Sequence, residues 1–255
     1  MSDEKSLKYN EPWILQRADP YVYRHTDGSY YFTASVPAYD GIVLRRAGTL
    51  AELSGAEEVM VWKKHESGPM SYHIWAPEIH YLFGKWYIYF AGGEAEDIWK
   101  IRPYILECSG DDPLTDEWVE LGKMKRAAED EFSFEAFSLD ATVFENKGEY
   151  YYVWAEKVGV GKMISNLYIA KMESGNQLKT VQVLLTTPDY DWERKGFWVN
   201  EGPAVIHHDG KMFLTYSASE TGVDYCVGML SIDEDADTAG AAGMAAAPHG
   251  QRLFL

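Results

Sequence analysis

The most regular feature of the chain is a short apolar segment, a turn glycine and a second segment rich in aromatic residues. In its clearest copy, the segment 75–82 carries an acid and leads to Gly84, after which Trp86-Tyr87-Ile88-Tyr89-Phe90 follows. A glycine turn between two runs of β-type residues is typical of a β-hairpin. The pattern therefore predicts a chain built from antiparallel strands.

The hairpin recurs along the whole sequence. Its turn glycines are Gly28, Gly84, Gly148 and Gly210, at intervals of 56, 64 and 62 residues. A period near sixty with strand-type content predicts small sheets that stack on one another, because one such sheet cannot bury its own face. Four-stranded sheets repeated around an axis form a β-propeller, in which the first strand of each sheet lines the central channel.

The predicted strands follow the four copies in order. The first sheet is predicted at 18–23, 30–34, 42–44 and 59–62, and the second at 78–82, 86–90, 104–108 and 118–121. The third is predicted at 140–144, 150–154, 167–170 and 181–185, and the fourth at 204–206, 212–216 and 226–230. We expect one all-β domain over residues 16–232, with an N-terminal arm at 1–15 and a low-complexity tail at 233–255.

The composition of the chain argues against some classes of binding partner. With 255 residues, of which 46% are hydrophobic and 15% aromatic, the chain can bury one large core. Its net charge of −17 argues against nucleic acid, since binding a phosphate backbone needs clustered Lys and Arg. No run has the length of a membrane span and no apolar signal segment is seen, so we predict no membrane partner and a cytoplasmic location.

Candidate chemistry comes from acids that recur with the hairpins. Each repeat has one on or just before its first strand: Asp19, Glu78, Asp140 and Glu201. Equivalent positions of a propeller converge on its axis, so we expect these carboxylates to meet at one mouth of the channel. Converging, partly desolvated acids have raised pKa values. Several carboxylates among aromatic walls suit glycoside hydrolysis, in which one acid protonates the leaving oxygen and another activates water.

Four short motifs around these acids resemble those of glycoside hydrolase family 43, whose members are five-bladed propellers acting on arabinose- or xylose-containing polysaccharides. The motifs are Ala18-Asp19-Pro20, Trp75-Ala76-Pro77-Glu78, Ser138-Leu139-Asp140-Ala141 and Asn200-Glu201-Gly202-Pro203. The resemblance covers about residues 15–232. It implies an inverting reaction with Asp19 as general base, Glu201 as general acid and Asp140 as the residue that orients the acid and tunes its pKa. Acid and base should then stand roughly 6.5–9.5 Å apart.

The resemblance also implies a substrate. We expect removal of arabinofuranosyl units from plant oligosaccharides or polysaccharides, with β-xylosidase and endo-arabinanase as alternatives within the family. Trp75 matches a family tryptophan that lines the sugar site, and Tyr39 and Asp40 are predicted to contact substrate. Glu78 is predicted to be a structural acid that is hydrogen-bonded outwards. No residue is assigned to a metal, and His207-His208 is predicted to be a solvent-exposed turn.

The sequence departs from the family pattern after Ile232. The remaining 23 residues begin with an acidic run and continue into an Ala/Gly-rich stretch, so four blades are evident and a fifth is missing or truncated. No cofactor is expected to be required. The resemblance leaves a structural calcium open, although the last-blade histidine that usually accompanies it has no counterpart. Self-association could complete an open ring, and an inactive carbohydrate-binding propeller is the alternative of another class.

Overall fold

The computed structural model describes residues 12–160, 162–238 and 245–246. These residues form seventeen β-strands and two short 3-10 helices, at Ala51–Gly55 and Asp191–Glu193. The predicted arm and tail lie largely outside the described residues, since 1–11, 239–244 and 247–255 are not among them.

The first two sheets are four-stranded antiparallel meanders. In the first the order follows the chain: β1 (Ala18–Arg24), β2 (Tyr30–Ser35), β3 (Gly41–Ala47) and β4 (Val59–Lys63). The second repeats this order: β5 (Tyr72–Leu82), β6 (Lys85–Glu94), β7 (Asp97–Cys108) and β8 (Val119–Lys123).

The third and fourth repeats are joined into one sheet. The third contains β9 (Ser138–Asn146), β10 (Glu149–Val160), β11 (Lys162–Ser174), β12 (Gln177–Leu178) and β13 (Val183–Thr186). The fourth contains β14 (Trp198–His208), β15 (Lys211–Ala218), β16 (Cys226–Asp233) and β17 (Ala245–Ala246). A short parallel pairing of β11 with β14, Ile164 opposite Trp198 and Ser165 opposite Val199, makes them a continuous nine-stranded sheet.

The repeats are arranged around a channel. Their first strands are neighbours, with β1 against β5, β5 against β9 and β9 against β14. Three apolar cores fill the spaces between consecutive repeats, and their fully buried anchors include Trp86, Tyr89 and Trp154. A smaller cluster on the outer side of the first sheet, around Phe32 and Leu53, contains no residue of the fourth repeat. Within the described residues the ring is therefore open, which confirms an all-β propeller with four evident blades.

Two hairpins are longer than predicted at the channel mouth, the end of the sheets where the first strands begin. The β6–β7 hairpin continues to Glu94 and Asp97, and the β10–β11 hairpin to Val160 and Lys162. Their added residues include Ala91-Gly92-Gly93 and Glu156-Lys157, which have weak β-propensity and are held in strands by cross-strand pairing. The local pattern of apolar and polar residues does not show which strands pair, so these strands were predicted too short.

Each first strand has a β-bulge at the same level. The four residues with left-handed backbone at these bulges are Asp19 (φ 49°), Ala76 (45°), Asp140 (50°) and Gly202 (57°). Only Asp19 and Asp140 of the four acids are thus structurally equivalent, while Glu201 lies one residue before its bulge residue and Glu78 two residues after. The sequence distance between each acid and its turn glycine does not reveal this offset. The extra residue of a β-bulge changes the direction in which the neighbouring side chains point.

The strand pattern continues beyond Ile232, where the sequence predicted that it would stop. Ala245 and Ala246 pair with Ser231 and Leu230 and give the fourth repeat a short fourth strand. The beginning of the tail also contacts the third repeat, where the Asn146 side-chain amide donates a 2.9 Å hydrogen bond to the buried Thr238 hydroxyl. The described part of the chain contains no helix long and apolar enough to span a bilayer.

Candidate active site

Two cavities meet at the channel mouth. The inner cavity, of about 360 Å³, is lined by residues of all four first strands, including Pro20, Glu78 and Pro203. The outer cavity, of about 680 Å³, opens above it and is lined by residues of the hairpins and loops at the mouth. Asp19, Asp140 and Tyr225 line both cavities, so the junction of the two is acidic.

Asp19 is held at this junction by a serine. The Ser35 hydroxyl donates a 2.8 Å hydrogen bond to Asp19 Oδ2 and accepts one of 2.8 Å from the backbone N–H of Ala76. This pair of bonds joins β2 to the bulges of β1 and β5. Asp19 itself remains solvent-exposed, so a water molecule can reach its carboxylate.

Asp140 lies at the β9 bulge, facing Gly202 of β14. The Gly202 N–H donates a 3.1 Å hydrogen bond to Asp140 Oδ2, which favours the carboxylate. Burial has a larger and opposite effect and raises the pKa of Asp140 well above its usual range. The neighbouring charges of Glu201 and Asp19 raise it further, so Asp140 binds a proton more readily than an ordinary aspartate.

Glu201 lies beside the β14 bulge and lines the outer cavity. Burial is the main cause that raises its pKa, and the charge of Asp19 acts in the same direction. A 3.0 Å hydrogen bond from the Tyr225 hydroxyl to Oε1 and the charge of Lys157 oppose this rise. Since the charge of Glu201 raises the pKa of Asp140, the two carboxyls titrate together, and a proton bound at this site belongs to the pair.

Three polar residues of the site were not found from the sequence: Ser35, Lys157 and Tyr225. The Lys157 ammonium lies 3.8 Å from the centroid of the Phe137 ring, and burial lowers the lysine pKa while Glu201 raises it. The predicted third-sheet strand ended at Trp154, so Lys157 lay outside it. Tyr225 is in the loop between β15 and β16, whose sequence carries no motif that distinguishes it from other loops.

Aromatic and apolar side chains form the walls of the outer cavity. Trp75 and Tyr39 line one side, with ring centroids 6.0 Å apart in an edge-to-face contact. Met163 and Phe197 also line it, with 60% and 66% of their surfaces exposed. Asp40 lines neither cavity, and its backbone carbonyl accepts a hydrogen bond from the Lys64 N–H. Both residues belong to the loop between β2 and β3, where Tyr39 has a left-handed backbone (φ 50°).

Glu78 faces the inner cavity and is hydrogen-bonded inside the molecule. His80 Nε2 lies 2.9 Å from Glu78 Oε2, and the Tyr21 hydroxyl lies 3.4 Å from His80 Nδ1. Burial raises the pKa of Glu78, and its contacts with His80 and Thr142 lower it. The outward hydrogen bonds expected for this acid are therefore replaced by inward ones, and its structural role stays a prediction.

The described residues contain no group of three or more His, Cys, Asp or Glu side chains arranged to hold a metal ion. Ca²⁺ is also bound by backbone carbonyl oxygens and water, so the structural calcium stays an expectation of the resemblance. Cys108 and Cys226 are both buried and are not joined in a disulfide.

Comparison with known proteins gives relatives over most of the chain. The family model described as "Glycosyl hydrolases family 43" matches residues 9–246. The extracellular exo-α-(1→5)-L-arabinofuranosidase of Streptomyces avermitilis is 48% identical over 237 residues, which cover 93% of this chain and 48% of the relative. The enzyme of the same name from Streptomyces chartreusis is 48% identical over 88% of this chain and 67% of its own length. The chain thus spans about half the length of the first of these relatives.

A solved structure agrees with the sequence relatives. The crystal structure of an α-L-arabinofuranosidase from Lactobacillus brevis superposes with a TM-score of 0.84 at 49% identity, covering 94% of this chain and 74% of that one. The names of the two Streptomyces proteins overturn one expectation, because both are extracellular and the predicted cytoplasmic location is therefore wrong. The resemblance drawn from four short motifs is confirmed, and the chain belongs to glycosyl hydrolases family 43.

Proposed function

We propose that the chain is the catalytic propeller of an inverting, exo-acting α-L-arabinofuranosidase. The observation that carries the proposal is the meeting of three acids at the channel mouth below an aromatic wall, where Asp19 and Asp140 line both cavities and Glu201 lines the outer one. The arabinofuranosidase names of relatives at 48–49% identity support arabinose as the sugar. The substrate is then an arabinose-containing oligosaccharide or polysaccharide, and the relatives' names favour export from the cell.

Glu201 has the properties of the general acid. Its carboxyl lines the outer cavity, where the leaving part of the substrate would lie, and burial raises its pKa. A general acid must carry its proton at working pH, and raised pKa values serve this purpose in glycosidases. In the proposed reaction Glu201 donates this proton to the glycosidic oxygen as the bond between that oxygen and the anomeric carbon breaks.

Asp19 has the properties of the general base. It is exposed at the junction and oriented by the Ser35 hydroxyl, so it can accept a proton from a water molecule between itself and the sugar. Attack of this water on the face opposite the leaving group inverts the anomeric configuration. The charge of Asp19 raises the pKa of Glu201 and helps to keep the acid protonated, while Asp140 interacts with the same carboxyl and has its own pKa raised by it.

Hydrolysis of 4-nitrophenyl α-L-arabinofuranoside tests the proposal. We expect Asp19→Asn to lower kcat/KM by about 10²–10⁴, the usual contribution of one acid or base, and Glu201→Gln to do so on arabinotriose, whose leaving sugar oxygen must be protonated, with a smaller loss on the nitrophenyl substrate. Glu173→Gln, an exposed residue on β11, is the matched control and should leave the rate unchanged. Proton NMR of the first product should show the inverted anomer. Full activity of both site variants, or a retained anomer, would contradict the mechanism.

The alternatives are separated by further substrates. Faster turnover of a 4-nitrophenyl β-xyloside would favour β-xylosidase, and internal cleavage of linear arabinan would favour endo-arabinanase. The open ring is the observation that supports an inactive carbohydrate-binding propeller. Calorimetric binding of arabino-oligosaccharides without release of sugar at any pH from about 5 to 8 would establish that reading instead.

A further inference from the structure

One large aromatic side chain lies above the channel mouth without a role in the site described so far. Trp99, near the tip of the β6–β7 hairpin, exposes 60% of its surface. Tryptophan is amphipathic and is enriched at binding surfaces, where its large rigid ring gives contact area at low conformational cost. An exposed Trp on a strand next to a substrate cavity therefore indicates a ligand contact.

Adjacent, tilted rings connect Trp99 to the cavity. Its ring centroid lies 5.1 Å from that of His73 at 36° between planes, and His73 lies 4.3 Å from Trp75 at 35°. Trp75 lines the outer cavity, and the two tryptophan centroids are 6.3 Å apart. The three rings thus form a continuous aromatic surface, here called the aromatic stack, which leads from the cavity wall outwards.

His73 serves this stack as a flat apolar ring. Both of its ring nitrogens are buried and have no hydrogen-bond partner among the described residues. Burial lowers the pKa of His73, which favours the neutral imidazole. Its backbone is left-handed (φ 50°), a conformation that a side chain other than glycine rarely adopts. A strained histidine without polar partners is explained by packing between Trp75 and Trp99.

The hairpin that carries Trp99 is fixed in position. The Ala95 N–H donates a 2.7 Å hydrogen bond to the Ser71 hydroxyl, and the Gly68 N–H donates one of 3.0 Å to the Glu96 carboxylate. At Gly93, a Cβ would lie 2.8 Å from the Ile98 carbonyl oxygen, so β6 and β7 approach each other closely. A platform held in this way loses little conformational entropy when a ligand binds.

We propose that Trp99 is a substrate-binding platform for a sugar ring beyond the terminal arabinofuranosyl unit, on the leaving-group side of the scissile bond. This inference rests on the proposed function. The apolar C–H face of a neutral sugar can lie flat against an indole face, and Lys100, which follows Trp99, is paired with Glu94 at 2.8 Å. The ligand class is a neutral arabinose chain of two or more units.

Substrates of different length test the assignment. We expect Trp99→Ala to raise KM for arabinotriose roughly tenfold, about 1.4 kcal/mol of lost binding, with kcat little changed. Hydrolysis of 4-nitrophenyl α-L-arabinofuranoside, whose sugar occupies only the cavity, should change less than twofold. Trp99→Phe should restore most of the arabinotriose affinity. Phe83→Ala, an exposed aromatic at the opposite turn of β5 and β6, should affect neither substrate.

A binding measurement keeps this inference separate from the proposed function. In a Glu201→Gln background, calorimetry should show arabinotriose binding that weakens roughly tenfold on Trp99→Ala. If the parent protein hydrolyses no arabinofuranoside but this loss is seen, the proposed function fails and the platform stands. Equal effects of Trp99→Ala on the short and long substrates, or no effect on either, would overturn the platform.

Discussion

At the scale of single residues, Tyr225 is the side chain whose chemistry is most directly tied to the proposed acid. Its hydroxyl donates to Glu201 Oε1 and stabilises the carboxylate, which lowers the pKa of Glu201 against the effect of burial. We predict that Tyr225→Phe raises the Glu201 pKa. Activity requires the protonated acid, so the alkaline limb of kcat/KM should move to higher pH, by about one unit for a charged hydrogen bond.

The measurement is a pH profile of kcat/KM on 4-nitrophenyl α-L-arabinofuranoside. Tyr81→Phe is the control, because Tyr81 has the same 39% exposure as Tyr225 and does not line either cavity. A shift of the alkaline limb to lower pH in Tyr225→Phe would show that the tyrosine does not act on the acid in this way.

Asp140 gives a prediction about stability. Burial and the charges of Glu201 and Asp19 raise its folded pKa, so its carboxyl favours folding below its unfolded pKa, near 4, and this contribution is lost as pH rises through the folded value. Asp140→Asn cannot ionise and can still accept the Gly202 hydrogen bond. It should therefore be more stable than the parent at pH 7, with Tm higher by ~2–4 °C per kcal/mol gained, and much less active.

Calorimetric melting at pH 7 and near pH 3.5 checks this expectation, and the gain should disappear at the lower pH. Asp27→Asn is the matched control. The pKa of Asp27 is lowered by a hydrogen bond from the Ser29 N–H, so loss of its charge should lower Tm at pH 7. A Tm of Asp140→Asn below that of the parent at pH 7 would show that the acid cluster does not destabilise the fold.

At the scale of secondary structure, the bulge in each first strand is the element that builds the site. Ala76 has φ 45° in the β5 bulge, where a Cβ costs about 1–2 kcal/mol. Glycine removes this strain and costs about 0.5–1 kcal/mol in chain entropy. We predict that Ala76→Gly stabilises the protein by ~0.5–1 kcal/mol in urea unfolding. Ala47→Gly, in β3 without a positive φ, should destabilise it by a similar amount, and the same sign for both would contradict the role of strain.

The strands also show how much of the fold can be predicted from the sequence. The turn glycines and aromatic runs predicted strands in all four repeats because hairpin turns and apolar alternation are local signals. The same pattern ended too early at the channel mouth, where β6 and β10 continue through residues of low β-propensity and β7 begins at Asp97, seven residues before its predicted start. Trp99 and Lys157 lie on these continuations, so the local signal failed at the positions that shape the outer cavity.

The acids were found for a different reason. Asp19, Asp140 and Glu201 lie in motifs at blade spacing, and their convergence follows from propeller symmetry. The bulge offset, the Ser35 bridge and the Tyr225 contact all depend on which atoms meet across strands. A single sequence contains no periodic signal for such contacts, so they could be found only from the structure.

At the scale of the whole molecule, the fourth repeat has one buried and one partly open face. In β15 and β16, alternate residues such as Met212, Leu214 and Leu230 are buried against the third repeat. The residues between them, Phe213, Val227 and Met229, are only half-buried in the described structure. An antiparallel sheet with apolar residues on both faces is suited to a further packing partner.

We predict that a protein of these 255 residues self-associates through this outer face. The net charge of −17 opposes association, but at about 0.15 M salt the repulsion between exposed charges is screened beyond roughly 8 Å. Sedimentation velocity should then show an average mass that rises with concentration, and Met229→Lys should shift it towards the monomer. Val119→Lys, on the outer strand of the second sheet, should leave the association unchanged. A concentration-independent monomer in the parent protein would rule this association out, since burying the apolar face should favour the larger species wherever the repulsion is screened.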